Sequence, residues 1–358
     1  MARTLRRSLA LGGLLLGAGL AVAASKESRL DPVSWRTEPI PELSGPLAEN
    51  RALTGASTVC TTEGPEDVAF DDDGHLYTGA ENGTVYRTTD PVTDGTRNAA
   101  LEPVADTGGR PLALEFDGED LLVCVAEVGL VAVDPDGTVT ELATDAAGRD
   151  VVFADDLYVE DGTVYFTDAS RHALFQDELM ELQDTGRLLA YDREADETTV
   201  LVNGLGFANG IALGPDDESL LVTETSRYRV SRYWHTGELE GRIERFTTNL
   251  VGYPDNIDRD PDGGYWVAIP SLRDPALERL HRRPWLKRQL GKLPETVLEQ
   301  LSGDAYGLVL KLDEEGTVVD SLHDPTGGVH GVTSATPHEG ALYLGSLFGD
   351  RVVRHPLE

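Results

Sequence analysis

DGTVY, at Asp161–Tyr165, is a tight Asp-Gly turn followed by β-branched and aromatic residues, which is the pattern of a strand entered from a hairpin. Related turn-and-strand stretches occur five more times, ending at Tyr77, Leu122, Leu221, Trp266 and Tyr343. Successive copies lie 45, 43, 56, 45 and 77 residues apart, close to the roughly 40 to 50 residues of a four-stranded propeller blade. The sequence therefore predicts an all-β fold, a six-bladed β-propeller.

The long last interval contains an insertion between the fifth and sixth repeated strands. Residues 272–303 have helical periodicity and are rich in Arg and Lys. We expect basic helices that form salt bridges with their neighbours, face a membrane, or act as a lid. Nearer the start of the chain, Leu53–Thr62 is rich in β-branched residues. It is expected to supply the outer strand of the C-terminal blade and so close the ring.

The composition is strongly acidic. The 358 residues include 63 acidic and 30 basic side chains, a formal charge of −33, and only four of the basic residues are lysines. Such a surface repels nucleic acid and anionic lipid, so no nucleic-acid partner is expected. Self-repulsion on this scale is relieved at molar salt, where the Debye length falls to about 3 Å. We therefore expect a halophilic, haloarchaeal protein, in which only register or spacing distinguishes a functional carboxylate from the background.

The first 24 residues have the features of an export leader. Arg3, Arg6 and Arg7 precede an apolar run from Leu9 to Ala24, and the arginine pair partly fits a twin-arginine signal. A helix of this run is about 24 Å long, shorter than a hydrocarbon core of about 30 Å, so cleavage and retention as an anchor both stay open. We expect an exported protein, either extracellular or attached to the outer face of the cell membrane.

Residues 25–50 contain four prolines and are predicted to form an extended Pro-rich stalk before a propeller of residues 51–358. Cys60 and Cys124 are interpreted as small buried residues of β-structure, although export would permit a disulfide between them. We expect a monomer.

Polar side chains recur at one level of the predicted blades. In each blade the strand nearest the axis precedes the repeated strand, so residues 10 to 12 positions before the end of each repeated strand should line the channel mouth. In four blades these residues carry side-chain oxygens. They are Glu66, Asp155, Asn209, and the pair Asp255 and Asn256.

Oxygen ligands that converge on one axis, with no His or Cys among them, suit Ca²⁺ better than a transition metal, and Mg²⁺ usually keeps several waters. The alternative is that Asp and Asn only cap the turns that begin strands, but four blades in one register favour a calcium site. In the other two blades Arg110 and His330 lie near the same level. Either would contact a ligand or substrate beside the metal, or have a purely structural role.

Longer motifs point to a family. They are FANG at Phe207–Gly210, YPDNI at Tyr253–Ile257, GYWV at Gly264–Val267, YFTDAS at Tyr165–Ser170, HEGALYLGS at His338–Ser346 and RPWLKR at Arg283–Arg288. Together they resemble the strictosidine synthase-like propellers, in the branch of the adipocyte plasma membrane-associated proteins. The resemblance runs from about residue 30 to the end of the sequence.

The resemblance implies a wider superfamily that includes paraoxonases and hydrolases of the gluconolactonase or regucalcin type. In those proteins a channel calcium is held by residues that match Glu66, Asp155, Asn209, Asp255 and, in the paraoxonases, Asn256. The family usually has Asn where this sequence has Asp155, a change that keeps an oxygen ligand and adds a negative charge.

The best-known catalytic residues of these relatives are missing. The catalytic Glu of the plant synthase would fall near Val332 or Thr333, so a true strictosidine synthase is not expected. The paraoxonase histidine pair would begin near Pro111–Ala113, where there is no His.

We expect a calcium-dependent hydrolase of small-molecule esters or lactones. The candidate catalytic residues are Asp155, Asp255 and His330, and the candidate substrate contacts are Arg110 and His330. The alternative is a non-catalytic exported or membrane-anchored binding propeller in which calcium only stabilises the blades.

Overall fold

The computed structural model describes residues 27–292 and 305–357. The predicted leader, residues 1–24, and the last part of the predicted insertion, residues 293–303, lie outside the described residues. The chain separates into two compact units. The described part of the first, called the helical unit, consists of residues 27–37, 174–183 and 274–292. The second, called the propeller unit, consists of residues 38–173, 184–273 and 305–357.

The propeller unit begins with β1 (Ser57–Thr61) and continues with four strands in each of blades 1 to 3. Blade 1 contains β2 (Val68–Phe70), β3 (Leu76–Gly79), β4 (Thr84–Thr88) and β5 (Leu101–Asp106). Blade 2 contains β6 (Arg110–Asp117), β7 (Asp120–Ala126), β8 (Gly129–Val133) and β9 (Val139–Ala143). A hairpin of β10 (Asp145–Ala146) and β11 (Arg149–Asp150) follows. Blade 3 contains β12 (Ala154–Glu160), β13 (Thr163–Asp168), β14 (Gly186–Asp192) and β15 (Glu197–Leu205).

Blades 4 to 6 complete the ring. Blade 4 contains β16 (Ala208–Leu213), β17 (Ser219–Glu224), β18 (Arg229–Trp234) and β19 (Ile243–Thr247). Blade 5 contains β20 (Ile257–Arg259), β21 (Tyr265–Ala268), β22 (Gly307–Leu312) and β23 (Val318–Asp324). Blade 6 contains β24 (Val332–His338), β25 (Ala341–Ser346) and β26 (Arg351–Pro356).

The two ends of the propeller unit are joined within blade 6. Strand β1 pairs antiparallel with β26, with Ser57 opposite Arg354 and Thr61 opposite Arg351. The first strands of successive blades contact one another around the ring, and β24 of blade 6 contacts β2 of blade 1. The predicted six-bladed propeller, and the closing strand predicted within Leu53–Thr62, are therefore confirmed.

Apolar side chains from adjacent blades pack together and hold the sheets face to face. Between blades 2 and 3, for example, Leu122 and Leu130 share a cluster with Val164 and Phe166, and all four are fully buried. Alternation within each strand sends one set of side chains into such a cluster and the other set to the opposite face. Cys60 and Cys124 are buried in strands as free thiols.

The described part of the helical unit contains three short helices, α1 (Phe175–Glu181), α2 (Pro275–His281) and α3 (Pro284–Leu290). Asp274 caps α2 by accepting hydrogen bonds from the backbone N–H groups of Ala276 and Leu277, and proline stands in the first turn of both α2 and α3. Helices α2 and α3 lie within the predicted basic insertion, between the fifth and sixth repeated strands. Helix α1 was not predicted; it lies in the unusually long interval of 56 residues before the fourth copy.

Residues 27–50 contain no strand, and hydrogen bonds hold them along their length. Val33 N–H donates to Glu181 O (2.9 Å) and Trp35 N–H to His281 O (3.0 Å) within the helical unit. Within the propeller unit, Arg273 donates to Glu38 O (2.7 Å). Over the described residues, no helix is both long and apolar enough to cross a bilayer.

Candidate metal centre

The five predicted ligands lie where the first strands of four blades begin. Asp155 is in β12 at a shift of register between Ala154 and Leu157, and Asn209 is in β16 at a matching shift between Ala208 and Ile211. Such β-bulges leave a residue outside the regular pairing and redirect its side chain. Glu66, Asp255 and Asn256 come just before β2 and β20.

All five side chains are buried, with exposures between 2% and 8%. Four of their oxygens, Glu66 Oε2, Asp155 Oδ2, Asn209 Oδ1 and Asn256 Oδ1, have no hydrogen-bond partner among the described residues. A buried oxygen without a partner costs about 1–3 kcal/mol, and native proteins contain few of them. Four such oxygens in one register indicate that their lone pairs are available to bind an atom that is not part of the protein.

The side chains also interact with one another. Asn209 forms a side-chain hydrogen bond to the Asp255 carboxylate, and burial raises the pKa of Asp255 to about 7. Burial, followed by the charges of Asp255 and Asp155, raises the pKa of Glu66 well above its ordinary value. Burial and the charge of Asp255 do the same to the pKa of Asp155. Three carboxylates therefore share one buried region, which favours a divalent cation at its centre.

The carboxylates do not form a metal site by themselves. Within residues 27–292 and 305–357, no group of three or more His, Cys, Asp or Glu side chains is arranged to hold a metal ion. A metal centre here depends on the amide oxygens of Asn209 and Asn256 as well. An all-oxygen set of mixed carboxylates and amides is the donor set that calcium takes.

Three buried threonines, which the sequence reasoning missed, fix the backbone of the predicted ligands. Thr167 Oγ1 donates to Asn209 O (2.8 Å), Thr223 Oγ1 to Asp255 O (2.7 Å) and Thr333 Oγ1 to Glu66 O (2.8 Å). Each threonine belongs to the blade next to the one that carries the ligand. A signal was available for two of them, because Thr167 and Thr223 both lie two residues after the end of a repeated stretch, at Tyr165 and Leu221.

Two glycines allow neighbouring backbones to approach the site closely. A Cβ on Gly210 would lie 2.6 Å from Asn256 Cα, and a Cβ on Gly345 would lie 2.1 Å from Glu66 O. These distances are too short for any side chain, so glycine at both positions lets blades 4 and 6 pack directly against ligand-bearing segments.

The two candidate substrate contacts differ in their surroundings. Arg110 begins β6 and donates from Nη2 to Leu347 O (2.9 Å). Burial lowers its pKa, and the charges of Glu81 and Glu66 oppose that change, so the guanidinium lies within electrostatic reach of the predicted ligands. His330 is half-buried, and its Nδ1 is 3.0 Å from Gly327 O. Its backbone carbonyl accepts a hydrogen bond from Ser346 Oγ (2.9 Å), which places His330 toward the β25–β26 turn.

A second tier of acids lies one residue further along two of the same segments. Asp156 accepts hydrogen bonds from the backbone N–H groups of Leu157 and Ile211, both at 2.8 Å, and Asp67 accepts one from Leu114 N–H at 3.2 Å. Because Ile211 and Leu114 belong to the next blade, these carboxylates link blade 3 to blade 4 and blade 1 to blade 2. Burial raises the pKa of Asp67 to about 6.

Comparison with known families finds two matches along the chain. The family described as strictosidine synthase matches residues 155–238, and the family described as strictosidine synthase-like, N-terminal, matches residues 45–88.

Curated relatives match nearly the whole chain. Adipocyte plasma membrane-associated protein of Salmo salar is 38% identical over 365 residues, which cover 94% of this chain and 86% of that protein. Protein strictosidine synthase-like 6 of Arabidopsis thaliana is 35% identical over 319 residues, covering 86% of this chain and 84% of that protein.

Solved structures with much lower sequence identity have the same fold. A gluconolactonase of Xanthomonas campestris superposes with a TM-score of 0.59 at 16% identity, over 93% of this chain and 97% of that one. A calcium-binding protein of Agrobacterium tumefaciens, regucalcin, superposes with a TM-score of 0.55 at 14% identity, over 87% of this chain and 94% of that one.

Proposed function

Because this chain belongs to the family of strictosidine synthase-like proteins that includes the adipocyte plasma membrane-associated proteins, we propose that it is a calcium-dependent hydrolase of small esters or lactones. The calcium ion would be held by Glu66, Asp155, Asn209, Asp255 and Asn256. The observation that carries the proposal is the set of four buried side-chain oxygens without a partner in the described residues. The names of the structural neighbours, a gluconolactonase and a calcium-binding regucalcin, agree with it.

The residues around the site suit hydrolysis by an activated water. A bound calcium ion would polarise a substrate carbonyl and stabilise the negative charge that develops on its oxygen. Asp155 or Asp255 would accept a proton from the attacking water as a general base. Arg110 would orient the acyl oxygen or the carboxylate product.

A condensation like that of the plant synthase is not proposed. The position that matches its catalytic Glu falls at Val332 or Thr333, and both side chains are buried in β24. Thr333 Oγ1 donates its hydrogen bond to Glu66 O, so this position supports a predicted ligand and carries no acid.

A non-catalytic binding propeller is the second candidate. It is favoured by the contact of His330, whose Nδ1 lies against the Gly327 carbonyl, whereas no hydrogen bond within the described residues joins its ring to the acids of the mouth.

The test combines calcium binding with hydrolysis. The full chain, purified in molar salt, is titrated with calcium by calorimetry and assayed against a panel of aryl esters and lactones, with and without a chelator. Asp255→Asn removes one predicted ligand charge, and Asp262→Asn makes the same chemical change at an exposed turn of the same blade.

The proposal expects calcium-dependent hydrolysis that Asp255→Asn abolishes and Asp262→Asn leaves intact. Calcium binding without hydrolysis of any panel member would instead favour the binding propeller. A failure of calcium to bind would contradict the ligand set itself.

A further inference from the structure

The helical unit differs sharply in charge from the rest of the protein. Its described residues contain eight basic and seven acidic side chains, whereas those of the propeller unit contain 18 basic and 52 acidic ones. The propeller unit therefore has a large negative net charge that repels an anionic surface, whereas the net charge of the described helical unit is slightly positive and does not.

The acids of the helical unit are largely used within it. Asp177, Glu178 and Glu181 are buried. Asp177 pairs with Arg29 at 2.9 Å, and Asp31 pairs with Arg288. The charged side chains that this unit exposes to solvent are therefore mainly positive.

The positive charge is concentrated around the end of α2 and the start of α3. Arg279, Arg282 and Arg283 are exposed, and none of them forms an ion pair with any described residue. Beside them in sequence, Trp285 has 65% of its surface exposed, the largest value for a large apolar side chain in the described residues. We call these four residues the basic face.

We propose that the basic face binds an anionic lipid bilayer. The three guanidinium groups would contact phosphate headgroups, and the Trp285 ring would enter the boundary between headgroups and acyl chains. Arginine pairs with phosphate through two parallel hydrogen bonds, and tryptophan is enriched at membrane interfaces because its ring is apolar and its N–H is polar. Arginines that have no ion-pair partner among the described residues, next to an exposed tryptophan, suit the boundary between headgroups and acyl chains better than they suit bulk water.

Chain connectivity brings the helical unit close to any anchored leader. Arg29, fixed to Asp177 on α1, is only five residues after Ala24, the end of the apolar run. Five residues span at most about 18 Å when fully extended. If the run from Leu9 is retained in the membrane, Arg29 lies within that distance of the end of the run.

The long-range electrostatic attraction and the direct contacts of this interaction depend differently on salt concentration. At molar salt the Debye length of about 3 Å removes long-range attraction, while direct arginine–phosphate contacts and the burial of Trp285 are much less affected. Docking should therefore weaken from low to molar salt without disappearing.

The test places the full chain in lipid nanodiscs. One set contains phosphatidylcholine alone, and the other contains phosphatidylcholine and phosphatidylglycerol in equal parts, both with brominated acyl chains that quench nearby tryptophan. The proposal expects quenching in the mixed discs that Trp285→Phe removes and that is weaker in discs of phosphatidylcholine alone. Each basic residue near an anionic surface strengthens binding roughly fivefold, so the loss of three positive charges should lower the binding constant on the order of 100-fold. Arg279→Glu, Arg282→Glu and Arg283→Glu combined also add three negative charges and should lower it by at least that much.

The matched control replaces the same three arginines with lysine, which keeps the charge and should retain most of the quenching. Thermal melting of both triple variants checks the fold, which these exposed and unpaired side chains should not affect. Equal quenching in both lipid compositions, or no quenching that depends on Trp285, would overturn the proposal. Retention of the protein on a soluble polyanion through these arginines, without lipid quenching, would overturn it too.

Discussion

Two adjacent tiers of buried residues carry carboxylates in opposite surroundings. Asp155 and Asp156 are neighbours in sequence and both are buried. Asp156 accepts two backbone hydrogen bonds, one of them from the next blade, whereas Asp155 Oδ2 has no partner among the described residues. Glu66 and Asp67 repeat the contrast in blade 1.

The contrast separates structural acids from ligand candidates in a chain where acids are common. A carboxylate that satisfies backbone N–H groups stabilises the propeller whether or not a metal is present. A buried carboxylate that satisfies nothing destabilises the protein until a cation neutralises it. The two tiers should therefore respond differently to calcium and to substitution.

The largest effect should be the pH dependence of the calcium-free protein. Burial raises the pKa of Asp255 from its ordinary value of 3.8 to about 7, so its proton favours the folded state. That stability is fully present below pH 4 and is lost as the pH rises through about 7, a change of about 4 kcal/mol from this residue alone. Glu66 and Asp155, and also Asp67 and Asp156, have raised pKa values and act in the same direction.

Denaturant unfolding in molar salt with a chelator, from pH 4 to pH 8, measures the slope of the free energy of unfolding against pH. Saturating calcium should reduce or reverse it, because the ion binds the ionised carboxylates. Asp255→Asn should flatten the slope in the chelated protein. Chelated stability that stays level or rises over this range would mean that the three carboxylates do not share a buried region.

The second-largest effect should be a loss of stability on substitution in the second tier, that of Asp67 and Asp156. Asp156→Ala leaves the N–H groups of Leu157 and Ile211 without their acceptor, which should lower the free energy of unfolding by about 3 kcal/mol. The loss should be the same with calcium and with chelator, measured by denaturant unfolding. Asp155→Asn is the matched control in the other tier. It should not destabilise the chelated protein, because it removes a buried charge, but it should weaken calcium binding.

The sequence predicted the blades and the level of the site because both repeat along the chain. The spacing of DGTVY-like stretches predicts that Asp155 and Asn209 lie at one height, because hydrogen-bonded strands carry that periodicity into space. It did not predict the β-bulges at these residues, because a bulge depends on pairing between strands. Helix α1 was missed because its seven residues are too few for a clear helical period.

The threonine hydroxyls were missed for a related reason. Nothing within a blade shows that Thr223 reaches Asp255 O, since the bond crosses to the next blade. The repeat marks the position of Thr223, but its partner in another repeat is identified only when the ring closes. The smallest of the three expected effects tests such a contact.

Thr223→Val replaces the hydroxyl with a methyl group of similar size and leaves the Asp255 carbonyl without its donor. The loss of one buried hydrogen bond should cost about 1 kcal/mol of stability. Because the bond fixes the backbone of a predicted ligand, calcium affinity should fall by roughly threefold to tenfold.

Calcium titration calorimetry and chelated unfolding measure the two quantities separately, and Thr223→Ser should recover both, because serine keeps the donor. A positioning role requires that the affinity of the valine variant fall while the serine variant remains near the original value. If the valine variant loses stability in chelator but binds calcium with unchanged affinity, Thr223 has the same role as Asp156. It then joins neighbouring blades and does not position a ligand of the metal centre.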